Sequence, residues 1–156
     1  MFEPDHDGFV VSSEPYLRFG DLDSLRVGDG AKQTRSALKF TVTGLASAPA
    51  KATLRVFAFD GGPEGGAVYL SSNYYAAQSA PWTEDGLKWA TQPELLGAPL
   101  ATLGPVTGGS WAEYNVTAAI AGDGTYSFTI LATGTDALGF HSRESNFARP
   151  ELVIVP

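Results

Sequence analysis

Arg35 and Lys39 stand four residues apart in the run Arg35-Ser36-Ala37-Leu38-Lys39-Phe40-Thr41-Val42. An extended strand turns successive side chains to opposite faces. Ser36, Leu38, Phe40 and Val42 therefore share one face, and Arg35, Ala37, Lys39 and Thr41 share the other. The first set is expected in a core and the second toward water or a ligand. That places two cations about 13 Å apart along one side of a strand. A planar guanidinium grips a carboxylate through two parallel hydrogen bonds, and an ammonium adds a more tolerant point charge. The pair suits an anionic polymer; a solvated outer face is the plainer reading of the same pattern.

Other side chains extend this patch. Arg26 lies between Leu25 and Val27, and Arg55 between Leu54 and Val56. If those apolar neighbours are core, both arginines point outward. Arg18 and Lys32 would flank the strands from loops. Tyr74 and Tyr75 are adjacent, so one faces in and one out, and Tyr75 is the candidate ring for stacking on a sugar. If Ser142 and Glu144 turn inward, His141 and Arg143 face the ligand side. Glu144 then reads as a structural partner and Arg143 as a possible ligand contact. Trp82, Trp89 and Trp111 are expected to pack rather than serve as platforms, each indole N–H finding a partner.

Catalysis has little to stand on. His6 and His141 are the only histidines, and neither sits in a motif with a nucleophile. Glu84 and Asp85 are neighbours, so on a strand they point to opposite faces and cannot form a glycosidase dyad by themselves. For metals, Asp5-x-Asp7 and Asp21-x-Asp23 set alternate carboxylates near turns. Calcium takes six to eight oxygens and accepts such groups, so a structural Ca²⁺ held by Asp5, Asp7, Asp21 and Asp23 is an expectation. Zinc is disfavoured, because the chain has no cysteine and its two histidines are isolated.

The elements that position these groups follow from composition. With 18 Gly and 10 Pro among 156 residues, abundant Thr and Val, and a turn signal every ten residues or so, the chain reads as all-β. Ten strands are expected, at 8–13, 24–27, 35–42, 51–59, 67–75, 100–103, 110–116, 126–132, 138–143 and 151–155. A single helical turn is expected at 116–120, with Asn115 or Thr117 near its cap. Ten short strands favour one domain, 1–156, folded as a two-sheet antiparallel β-sandwich of the jelly-roll kind. A chain of this length buries roughly two-thirds of its unfolded surface, so it needs no disulfide staples.

The formal net charge of −7 argues against nucleic acid, whose binding rests on a surplus of Lys and Arg. No run of 18 apolar residues marks a membrane span, and no signal peptide opens the chain. Met1 directly before Phe2-Glu3-Pro4 reads as a start codon set on an excised domain. An export signal and a fused enzyme or surface protein are therefore expected outside this sequence.

Several spaced segments together are similar to one family. Pro4-Asp5-His6-Asp7-Gly8-Phe9-Val10, Leu25-Arg26-Val27-Gly28, Arg35-Ser36-Ala37-Leu38-Lys39-Phe40 and Ala52-Thr53-Leu54-Arg55-Val56 come first. Trp82-Thr83-Glu84, Trp89 to Pro93, Trp111 to Thr117, and Phe140-His141-Ser142-Arg143-Glu144 with Arg149-Pro150-Glu151-Leu152 follow in order. The chain thereby resembles the DNRLRE-domain proteins, also classed as carbohydrate-binding module family 96. Asn115 stands where Asp is usual, His6 replaces a small residue, and Arg18 takes a position usually given to Asn. The resemblance implies a non-catalytic, secreted or cell-surface β-sandwich that binds polysaccharide, with acidic polymers such as alginate or pectin among the ligands. The alternative is a structural or adhesive spacer whose cations pair with nearby carboxylates. On the binding reading, replacing Arg35 and Lys39 together by alanine is expected to abolish retardation in an alginate or pectate gel while leaving the melting temperature nearly unchanged.

Overall fold

Alternating apolar residues bounded by glycine turns produce ten strands in the computed structural model, which describes residues 1–156. They are β1 (His6–Val11), β2 (Ser24–Asp29), β3 (Gln33–Val42), β4 (Lys51–Asp60), β5 (Gly66–Ser71), β6 (Leu95–Leu103), β7 (Ser110–Asn115), β8 (Gly124–Leu131), β9 (Leu138–His141) and β10 (Glu151–Val155). Each corresponds to one expected strand. The main differences in extent are β5, which stops at Ser71, and β6, which begins at Leu95. The expected helical turn is a short 3₁₀ turn, Thr117–Ala119, held from two residues upstream by Asn115 Oδ1, which accepts from the Thr117 N–H.

All strand pairings are antiparallel. One sheet runs β1-β3-β8-β5-β6. In the other, β4 pairs with β7 along one side and with β10 and then β9 along the other, and β9 pairs with β2. The last two residues of β2 cross over to pair with the start of β3, so the two layers form one curled surface. The result is an antiparallel β-sandwich. We call these layers the β3 sheet and the β4 sheet.

The core lies between them. Leu38, Phe40 and Val42 of β3 and Phe128 and Ile130 of β8 meet Leu54 and Val56 of β4, Leu25 and Val27 of β2, and Leu138 and Phe140 of β9. These are the inward halves of period-two strands, and burying each large apolar side chain stabilises by about 1.5–3 kcal/mol. The β3 sheet is covered on its other face as well. The long connection from Ser72 to Glu94 folds back over it, and Val10 and Ala37 form a second small core with Trp82 and Leu87. No helix is long and apolar enough to cross a membrane.

Candidate functional site

The second core decides the fate of the Arg35–Lys39 pair. Lys39 is on the outward face of β3, as its parity requires, but only 5 % of it is exposed. Its Nζ donates to the carbonyls of Trp82 at 2.5 Å and Asn73 at 3.0 Å, and lies 4.7 Å from the centre of the Trp82 indole. Burial lowers the ammonium to about 8. Arg35 is half-covered: its guanidinium sits 5.0 Å from the Trp89 ring and donates to Gln33 and Gln92. The expectation that this face is open is thus corrected. Parity correctly gave the side of the sheet, but residues some forty positions downstream cover it.

The remaining cations do not gather on one face either. Arg18 donates to the Asp85 carbonyl and borders a polar cleft with Asp21 and Glu84. Arg55 points out of the β4 sheet, pairs with Glu113 and Glu151, and lies 4.2 Å from the Trp111 ring. Arg143 is clamped at the edge of the sandwich by Glu84 and Glu144. Tyr75 is not the outward ring of its pair. Its hydroxyl accepts from the Thr83 N–H and its ring packs on the second core, while Tyr74 is exposed.

Arg26 and Lys32 are brought together. Both line a cleft of about 460 Å³ whose apolar floor includes Phe9, Phe19 and Leu138. Arg26 also borders an adjoining groove of about 390 Å³ with Phe59, His141 and Phe147. Its outward direction follows from Leu25 and Val27, both fully buried, and its backbone carbonyl accepts from Ser36 Oγ at 2.7 Å. Arg26 takes part in none of the five ion pairs, although Glu14, Asp23 and Asp60 stand on the rims of the two hollows.

The groove beside Arg26 belongs to an aromatic row across the outer face of the β4 sheet. Trp111 and Phe57, partners in the β7–β4 register, meet edge to face at 5.5 Å. His141 lies 5.2 Å from Phe57 and 5.8 Å from Phe59, and Phe147 stands edge-on to it at 4.8 Å. Phe59 and Phe147 are 44 % and 66 % exposed, so they offer ring faces to a ligand. Gly139 is the cross-strand partner of Arg26, and the Phe59 ring rests over it. Sequence reasoning passed over Phe57 and Phe59. The signal was available, because both share the outward parity of Arg55 in a strand whose alternate residues, Ala52, Leu54, Val56 and Ala58, are core.

The acidic residues also rearrange. Asp5 accepts from Thr41 Oγ1, and the Asp23 backbone carbonyl accepts from the Ser142 N–H. Asp7 is the one member of the expected set that joins a close carboxylate group, and its partners are Glu84 and Glu144. Burial pushes Asp7 up to about 8, with Glu144 and Glu84 adding to the rise against the Arg143 N–H that it accepts. His6 is held below its usual value by burial and by Lys39, and its Nδ1 accepts from the Glu84 N–H.

Asp7, Glu84, Arg143 and Glu144 come from three motifs far apart in the chain and converge at one edge of the sandwich. No curated protein matches the chain. The family model described as carbohydrate-binding module family 96 matches residues 1–156. With the sandwich, its core strands and the converging motif residues all in place, the chain belongs to carbohydrate-binding module family 96.

Proposed function

We propose that this carbohydrate-binding module is non-catalytic and holds an acidic polysaccharide, a uronate polymer of the alginate or pectin kind, on the outer face of the β4 sheet. The observation that carries the reading is Arg26: an exposed guanidinium outside every ion pair, set between an aromatic groove and a cleft bearing Lys32. Stacking of a sugar on Phe59 or Phe147 would bring its carboxylate to Arg26, and Lys32 would meet a neighbouring unit. Weak binding at one site suffices, because a polymer offers many copies of its ligand. The module would act outside the cell, keeping an attached enzyme or surface protein close to its polymer.

Affinity electrophoresis in gels containing alginate, pectate or a neutral glucan tests this. Retardation is expected in the acidic gels, and Arg26→Gln is expected to weaken it about tenfold, the worth of one charge-assisted contact. Equal retardation in the neutral gel, or an unchanged Arg26→Gln variant, would count against it. A spacer without a glycan site is the second reading. The pairing of Arg55 with Glu113 and Glu151 favours it, and it predicts unretarded migration in every gel.

A further inference from the structure

Three carboxylates and one guanidinium meet where β1, the turn after Trp82 and the segment following β9 come together. Arg143 Nη1 donates to both oxygens of Glu84, at 3.0 and 3.1 Å, and stands 3.5 Å from Glu144 Oε2. Its backbone N–H donates to Asp7 Oδ2 at 2.9 Å, and its Nε donates to the Pro4 carbonyl. That accounts for one positive charge against three carboxylates. Two buried oxygens remain without a partner: Oδ1 of Asp7, a side chain with no exposed surface, and Oε1 of Glu144. A buried acceptor left unsatisfied is costly, more so when it carries charge.

We propose that Asp7, Glu84 and Glu144 form a calcium site in which one divalent cation offsets the carboxylate charge that Arg143 leaves unpaired and satisfies Asp7 Oδ1 and Glu144 Oε1. One oxygen from each of the three side chains lies within 4.8 Å of the others. Carboxylates brought in by three separate segments suit calcium's tolerance of irregular oxygen geometry better than magnesium's demand for a near-ideal octahedron. Of the three side chains, Glu84 also lines a polar cleft shared with Arg18, Gly20, Asp21 and Asp85. The ion would tie β1 to the turn that carries Trp82 and to the connection between β9 and β10. It would therefore act as a staple in a chain without cysteine, whether or not a glycan binds the outer face of the β4 sheet.

The full chain, dialysed against a chelator, is titrated with CaCl₂ and separately with MgCl₂ while its melting temperature and calorimetric heat are followed. Terbium luminescence excited through tryptophan adds a direct probe, because Trp82 lies two residues from Glu84 and its ring is 6.3 Å from that of His6. Expected results are one calcium per chain and sensitised terbium emission. The melting temperature should rise about 5–10 °C when calcium stands about 100-fold above its dissociation constant. Asp7→Asn and Glu144→Gln should each remove that rise, and the partly exposed Glu144 serves if the buried Asp7 variant does not fold. Identical melting with and without calcium, terbium emission at background, or a full calcium response in Glu144→Gln would overturn the site. Stabilisation by acid alone, equal in chelator and in calcium, would do the same by assigning the two oxygens to a shared proton.

Discussion

The Lys39 ammonium donates to the carbonyl of Trp82 and lies over the indole of that same residue, 4.7 Å from its centre. One lysine thus holds the covering connection by its backbone and by its ring. A desolvated cation over an indole face is worth about 2 kcal/mol; Lys39 is also the donor to the Trp82 carbonyl, whereas the Asn73 carbonyl accepts from the Trp82 N–H as well. Lys39→Ala removes all of these at once. It should cost about 2–4 kcal/mol, read as a lowered midpoint in urea. Arg35→Ala, at a half-covered stack on Trp89, should cost about 1 kcal/mol or less. Any loss of glycan retention in the double variant would then reflect loosening of the fold, and equal midpoints for Lys39→Ala and the parent would refute the buried role.

The same lysine gives the chain a pH dependence of predictable sign. Burial takes Lys39 from an ordinary 10.5 to about 8 in the folded state. Below about pH 8 both native and unfolded chains carry the proton, and the cost of burying the charge is fully present. Between the two values the unfolded chain binds more protons than the native one, so stability rises with pH by at most about 1.4 kcal/mol per unit. The difference in unfolding free energy between the parent and Lys39→Met should widen in favour of the parent from about pH 8 to about pH 10. A difference that stays flat across this range would show that Lys39 keeps an ordinary pKa.

Parity along a strand carried much of this fold, and its limits are visible in the same strand. Alternation in β3 correctly put Leu38, Phe40 and Val42 into the core. It could not say that the opposite face is covered too, because the cover comes from Trp82 and Leu87, more than forty residues later. Trp82 packs with its Nε1–H donating to Ser127 Oγ, whereas Trp89 and Trp111 are half-buried and each lies under an arginine. Asp5 and Asp7 looked equivalent two residues apart. Only the meeting of β1 with Glu84 and the segment after β9 separates them, and no local pattern encodes that meeting.

Gly139 sets the level of the aromatic groove. A Cβ added there would come within 2.5 Å of Phe59 Cζ and 2.8 Å of Cε1, so the ring would have to lift away. Phe59 is exposed enough to swing outward, and Gly139→Ala should therefore cost about 1 kcal/mol of stability or less. Retention on an acidic glycan should weaken about threefold to tenfold, the worth of one stacked ring. Phe59→Ala should weaken it comparably. Loss in Phe59→Ala with full retention in Gly139→Ala would show that Phe59 binds without resting over Gly139.

Arg26 and Arg55 occupy the same outer face of the β4 sheet in opposite states, which makes them each other's control. Arg55 is engaged by Glu113, its cross-strand partner, by Glu151 and by the Trp111 ring. Its replacement by glutamine should lower stability by about 1 kcal/mol, as for a partly exposed ion-pair network, and leave glycan retention nearly intact. Arg26→Gln should do the reverse, leaving the melting temperature within about 1 °C of the parent, since the side chain makes no ion pair. Measuring both variants by thermal denaturation and by affinity electrophoresis separates structural from ligand-facing charge. Equal losses of retention from the two substitutions would mean that the glycan runs along the whole aromatic row to Trp111, drawing Arg55 away from its carboxylates.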